Sequence, residues 1–190
     1  MDPIAALERA TQTYEQRLAA VGPDEWHLPS TCDGWTVRDL ADHVVGGNRY
    51  AVALLAGASA EDAFVRAVEA GFDTDALTLT RESAARQLDA FRARDSMTTT
   101  VHHPSGDIDG ATLLGFRVGD LVLHGWDLAR STGGDEHMDD ELVAFVWDAY
   151  APRRAALVAG GGFGTGSTGQ LASSAPLAAR LLDLTGRRTN

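Results

Sequence analysis

Apolar residues recur along most of this chain at intervals of three and four, the spacing that gathers them on one face of an α-helix. From about Asp2 to Ala20 the series is Ile4, Leu7, Tyr14, Leu18 and Val21, with Pro3 tolerated in the first turn. The stretch "VGPDEWHLPSTCDGW" breaks the rhythm with Gly22, Pro23, Pro29 and Gly34, which predicts a loop long enough to border a site. The rhythm resumes after Thr36. Asp39 follows Thr36 by three positions as in a capping box, and Trp35 can staple onto Leu40. These signals predict a helix from about Val37 to Leu55 with Leu40, Val44, Ala51 and Leu55 facing inward.

A short helix near Glu61–Ala70 and a longer one near Leu79–Arg94 come next, the latter with Ala84, Leu88 and Phe91 at helical spacing. In "SMTTTVHHPSGDIDG" the β-branched residues, followed by Pro104, Ser105 and Gly106, predict an extended crossover with a turn. A last long helix is expected from about Ala111 to Ser131, stopped by Gly133 and Gly134. Beyond it, a helix beginning near Met138 is bent or broken at Pro152, residues 160–169 form a flexible loop, and "SAPLAARLLDLTG" makes a short helix. The expectation is an all-α protein: a four-helix bundle with a long crossover over residues 1–155, and a Gly-rich loop with a short helical extension over residues 156–190.

Charge narrows the function. The formal net charge is −11, and the 16 basic residues are all arginine. Such a balance repels nucleic-acid backbones and anionic lipid surfaces, and the lack of lysine excludes Schiff-base chemistry and a P-loop. No apolar stretch is long enough to span a bilayer, and no secretory leader is visible at the start, so a cytoplasmic protein is expected. Cys32 is the only cysteine, so a metal site would need histidine and carboxylate ligands. Any apolar helix face left uncovered would favour a homodimer.

The segment "GDLVLHGWDLARSTG" places Asp120, His124 and Asp127 at spacings of four and three, a polar stripe on an otherwise buried helix. With His43 from the earlier helix, Asp120 and His124 make a two-histidine, one-carboxylate set that leaves a metal an open position. The spacing alone proves little and reads more readily as a capped or salt-bridged polar stripe. Asp127 reads either as an acceptor that orients an imidazole or as the partner of an arginine such as Arg38 or Arg130. Arg117 is expected in a surface ion pair rather than as a carboxylate fork, Asn48 and Arg49 could reach a ligand at the bundle mouth, and His102 and His103 read as an exposed pair. The tryptophans read as core or staple residues, with Trp26 placed to line an entrance. Gly164, Gly166 and Gly169 match a dinucleotide fingerprint in spacing, but no strand is predicted before them, so they read as linker.

Together, "STCDGWTVRDLADHVVGGNRY" and, about 75 residues later, "DLVLHGWDLARSTG" resemble the mycothiol-dependent maleylpyruvate isomerase-like family of the DinB/YfiT-like superfamily, over residues 1 to about 155. The resemblance implies a four-helix bundle holding a divalent metal, zinc in the isomerase. It also implies His43 and His124 as imidazole ligands and Asp120 where the isomerase has Glu. It further implies that the metal activates mycothiol, a low-molecular-weight thiol, as a thiolate beside a small electrophile, with no nucleophilic side chain required. The isomerase carries a second, C-terminal domain, for which residues 156–190 are too few. A small thiol S-transferase or isomerase is therefore expected, the alternative being a non-catalytic metal- or small-molecule-binding bundle.

Overall fold

The computed structural model describes residues 1–69, 75–155 and 166–188. Helix α1 spans Pro3–Ala19, with the Asp2 side chain accepting from the Ala5 amide, and it buries Ala6, Leu7, Ala10, Tyr14 and Leu18. Ile4 and Val21, expected inward, are half-buried at the helix ends, where the bundle no longer covers them. Helix α2 runs Val37–Leu55, and both hydrogen bonds of the Thr36–Asp39 capping box are present. That cap satisfies otherwise orphaned amides and fixes which residues face inward. Leu55 is only partly buried, and its neighbour Leu54 takes the core position.

Helix α3 covers Ala60–Glu69 and α4 covers Ala76–Arg92, beginning earlier than the apolar spacing suggests because Asp75 caps it through the Thr78 amide. The predicted crossover is a β-hairpin: β1, Thr100–His103, pairs antiparallel with β2, Gly106–Asp109. Strand alternation turns Val101 and His103 toward the bundle and His102 toward solvent. Helix α5 spans Gly110–Thr132 and ends at Gly133, whose φ of 68° supplies the left-handed cap. Helix α6, Asp140–Tyr150, gives way to a 3-10 turn over Ala151–Arg153 around Pro152. Helix α7 is Leu177–Leu184. The Gly-rich linker lies outside the described residues up to position 165.

Helices α1, α5, α2 and α4 pack in that cyclic order, so α2 and α5 are direct neighbours. Helix α3 lies on α2, α6 lies on α5, and α7 lies on α6. The core comprises Leu7, Leu18, Leu40, Leu54, Phe91, Leu114, Leu121 and Leu128 among others, and each such fully buried side chain stabilises the fold by about 1.5–3 kcal/mol. Among the described residues, no helix is long and apolar enough to cross a membrane.

Candidate metal centre

Because α2 and α5 are neighbours, the capped register of α2 brings His43 opposite the polar stripe of α5. One ligand atom each of His43, Asp120 and His124 lie within 4.8 Å of one another. Ligands held ~2.1 Å from a tetrahedral ion stand ~3.4 Å apart, so small side-chain adjustments suffice to close the set on an ion. The imidazole rings of His43 and His124 meet edge to face, with centroids 4.9 Å apart. Trp35 lies across both, 4.8 Å from His43 and 6.2 Å from His124. Trp35, expected as the staple, thus stands as a wall of the site.

Two of the three donors, His124 and Asp120, have a second partner that orients them. His124 Nδ1 donates to Asp127 Oδ2 at 2.9 Å, leaving Nε2 as the free lone pair. Asp120 accepts from Arg117 Nη1 through Oδ2, leaving Oδ1 free. Burial works to raise the Asp120 pKa, but Arg117, helped by His124, His43 and Arg187, outweighs it and holds the carboxyl below its ordinary value. His43 is open to solvent at one edge and hemmed in elsewhere. That crowding pulls its pKa down to about 4, against Asp120, which favours the cation. The set is thus two imidazoles and one carboxylate, the donor types a first-row divalent ion takes.

Three expectations need correction. Arg117 is not in a surface ion pair; it is buried, donating from Nε to Gln87 Oε1 at 2.9 Å and from Nη2 to Asn48 Oδ1 at 2.9 Å and the Val44 carbonyl at 3.3 Å. Asn48 is fully buried in the same layer, also bonded to Ser83 Oγ at 3.0 Å, and so does not reach a ligand. Asp127 pairs with neither Arg38, which bonds Asp42, nor Arg130, which bonds Glu136. Its partner is Arg187, which follows α7 and reaches Asp127 Oδ1 from Nε at 2.8 Å and Oδ2 from Nη2.

Thr31 Oγ1 also donates to Asp127 Oδ1, at 2.6 Å, and Cys32 Sγ lies 3.7 Å from Oδ2. Burial above all, with the Asp127 charge beside it, pushes the Cys32 thiol up to about 12. Cys32, His124 and Asp127 also offer ligand atoms within 4.8 Å of one another, but Arg187 and Thr31 already occupy the Asp127 carboxylate. The His43 set is the better candidate.

The hairpin packs against α2 and α5. His103 packs its ring 5.4 Å from Phe116 and 6.5 Å from Tyr50, and its Nδ1 accepts from the Ser105 amide at 3.2 Å. Burial lowers its pKa, against the pull of Asp120. His102, by contrast, is exposed and bonds Asp107 at 2.8 Å. Neither histidine joins a metal-ligand set among the described residues.

Residues 7–129 match the model of the mycothiol maleylpyruvate isomerase N-terminal domain. Uncharacterized proteins from two strains of Mycobacterium tuberculosis are each 34% identical over 147 residues, 75% of this chain and 74% of theirs. Among solved structures, a mycothiol-dependent maleylpyruvate isomerase superposes with a TM-score of 0.57 at 20% identity, and a histidine-to-alanine mutant with 0.59 at 18%. Both alignments cover 75% of this chain and 65% of the other, so the chain spans less than two thirds of those structures. The bundle is DinB-like, with a long crossover and a short C-terminal helical extension.

Proposed function

As the chain belongs to the family of mycothiol maleylpyruvate isomerase N-terminal domains, we propose that it is a metal-dependent enzyme acting on a small electrophile with a low-molecular-weight thiol, mycothiol by analogy. Its reaction is S-transfer or isomerisation. The observation that carries this reading is the convergence of His43, Asp120 and His124 within 4.8 Å of one another. A divalent ion, zinc by analogy, would act there as a Lewis acid that lowers the pKa of the incoming thiol.

The chain's own residues prepare that site. His124 presents Nε2 because Asp127 holds Nδ1, and Asp120 presents one oxygen because Arg117 holds the other. With its thiol pushed up to about 12, Cys32 stays protonated at neutral pH and is no nucleophile. Since Cys32 is the only cysteine, the sulfur nucleophile comes from outside the protein. Trp35, lying against both His43 and His124, supplies an apolar wall beside the set for a conjugated substrate.

The test is elemental analysis of protein purified without a chelating tag, beside His43→Ala and His124→Ala, followed by mycothiol and maleylpyruvate turnover. The expected result is about one metal per chain, lost in both variants while helical circular dichroism persists, and turnover only in the loaded wild type. Equal metal in all three proteins would reject the ligand assignment. A loaded protein that leaves mycothiol with maleylpyruvate, and with other small conjugated electrophiles, unchanged would reject the catalytic reading.

A further inference from the structure

The family match ends at residue 129, yet the wall behind His124 is completed by a side chain far beyond it. We propose that Arg187 is a positioning residue for His124, acting through Asp127, and that the segment from α7 to Arg187 is a working part of the site. The proposal rests on the metal-centre reading given above and extends it to the C-terminal segment.

Asp127 is fully buried, and its carboxylate is saturated. Oδ1 accepts from Arg187 Nε at 2.8 Å and Thr31 Oγ1 at 2.6 Å; Oδ2 accepts from His124 Nδ1 at 2.9 Å and Arg187 Nη2. A two-pronged guanidinium fixes the plane of a carboxylate, which a single donor does not. The plane sets where Oδ2 lies, Oδ2 sets the angle of the imidazole, and the imidazole angle aims Nε2 at His43 and Asp120. Arg187 also balances the buried charge of Asp127, so the trio is neutral with a neutral imidazole.

The guanidinium is not what docks the segment. Leu181, Leu182 and Leu184 are buried, the Arg187 amide donates to the Leu182 carbonyl at 2.8 Å, and Asp183 accepts from Thr168 Oγ1 at 2.7 Å. Removing the Arg187 head group therefore leaves α7 in place. A purely structural anchor and a positioning residue then predict different results.

The experiment compares wild type, Arg187→Gln and Arg187→Lys in two ways. Long-range proton–nitrogen NMR of the imidazoles reads the His124 tautomer in metal-free protein near neutral pH, and competition with a chromophoric chelator reads zinc affinity. Wild type should show one Nδ1–H tautomer for His124. Arg187→Gln should mix the tautomers and weaken zinc binding about tenfold or more, and Arg187→Lys should recover part of both. An Arg187→Gln protein with the wild-type tautomer and zinc affinity within about twofold of wild type, whatever its melting temperature, would overturn the proposal. If wild type takes up no zinc, the metal reading falls, while the imidazole spectra still decide the role of Arg187.

Discussion

Nδ1 of His124 lies 2.9 Å from Oδ2 of Asp127, one turn further along α5, and this hydrogen bond decides which nitrogen keeps its lone pair. The acceptor is an ionised carboxylate: burial opposes its charge, but His124 and Arg187 hold its pKa well below the ordinary value. The imidazole therefore keeps its proton on Nδ1, and Nε2 remains a lone-pair donor.

Replacing Asp127 with Asn removes the charge that balances Arg187, whose side chain is only 12% exposed. An uncompensated buried cation costs about 3–5 kcal/mol, and zinc affinity should fall about 10- to 100-fold with it. Urea denaturation and chelator competition measure the two effects. A variant that keeps wild-type values in both would show that the carboxylate contributes to neither.

Gly47→Ala tests the packing beneath Asp120. A Cβ at position 47 would stand 2.1 Å from Arg117 Nη1 and 2.7 Å from Cζ, so the guanidinium would have to leave its hydrogen bonds. The expected cost is about 1–3 kcal/mol, read as a lower urea midpoint. An unchanged midpoint would mean that Arg117 has room to move without penalty.

Thr36→Ala removes half of the capping box that sets the start of α2. The loss should be about 1 kcal/mol, or about 2–4 °C in the melting temperature for a chain of this size. Thermal unfolding followed by circular dichroism checks it, and an unaltered transition would place the register of α2 in its packing alone.

The reactivity of Cys32 gives a pH test with a definite sign. The thiolate is the reactive form, and burial first, then the Asp127 charge, disfavour it, so the pKa stands at about 12. Iodoacetamide labelling of the native protein should keep accelerating above pH 9 rather than level off there. Asp127→Asn should move the midpoint downward. A plateau near the ordinary cysteine value in the wild type would contradict the described surroundings.

Local signals carried much of this structure. The Thr36–Asp39 cap gave the bounds of α2, Gly133 marked the end of α5, and Asp120 and His124 stood out because carboxylate and imidazole are costly on a buried face without partners. What could not be read was held by contacts distant in sequence. The carboxylate at 127 finds its cation at 187, and no local period links the two. Arg117 looked like a surface residue because its burial depends on Gln87 of α4 and Asn48 of α2. Trp35 was legible as a staple but not as a wall of the site, since that depends on how α2 and α5 face each other.

The Arg117 guanidinium bonds α2 through Asn48 and Val44, α4 through Gln87, and its own helix through Asp120, all at one height in the bundle. Apolar layers alone would let a helix slide by one turn, about 5.4 Å, and repack leucine against leucine. Here such a slip would strand a cation in an apolar interior. The polar layer works as a vernier: it permits one vertical alignment of α2 against α5 and so holds His43 level with Asp120 and His124.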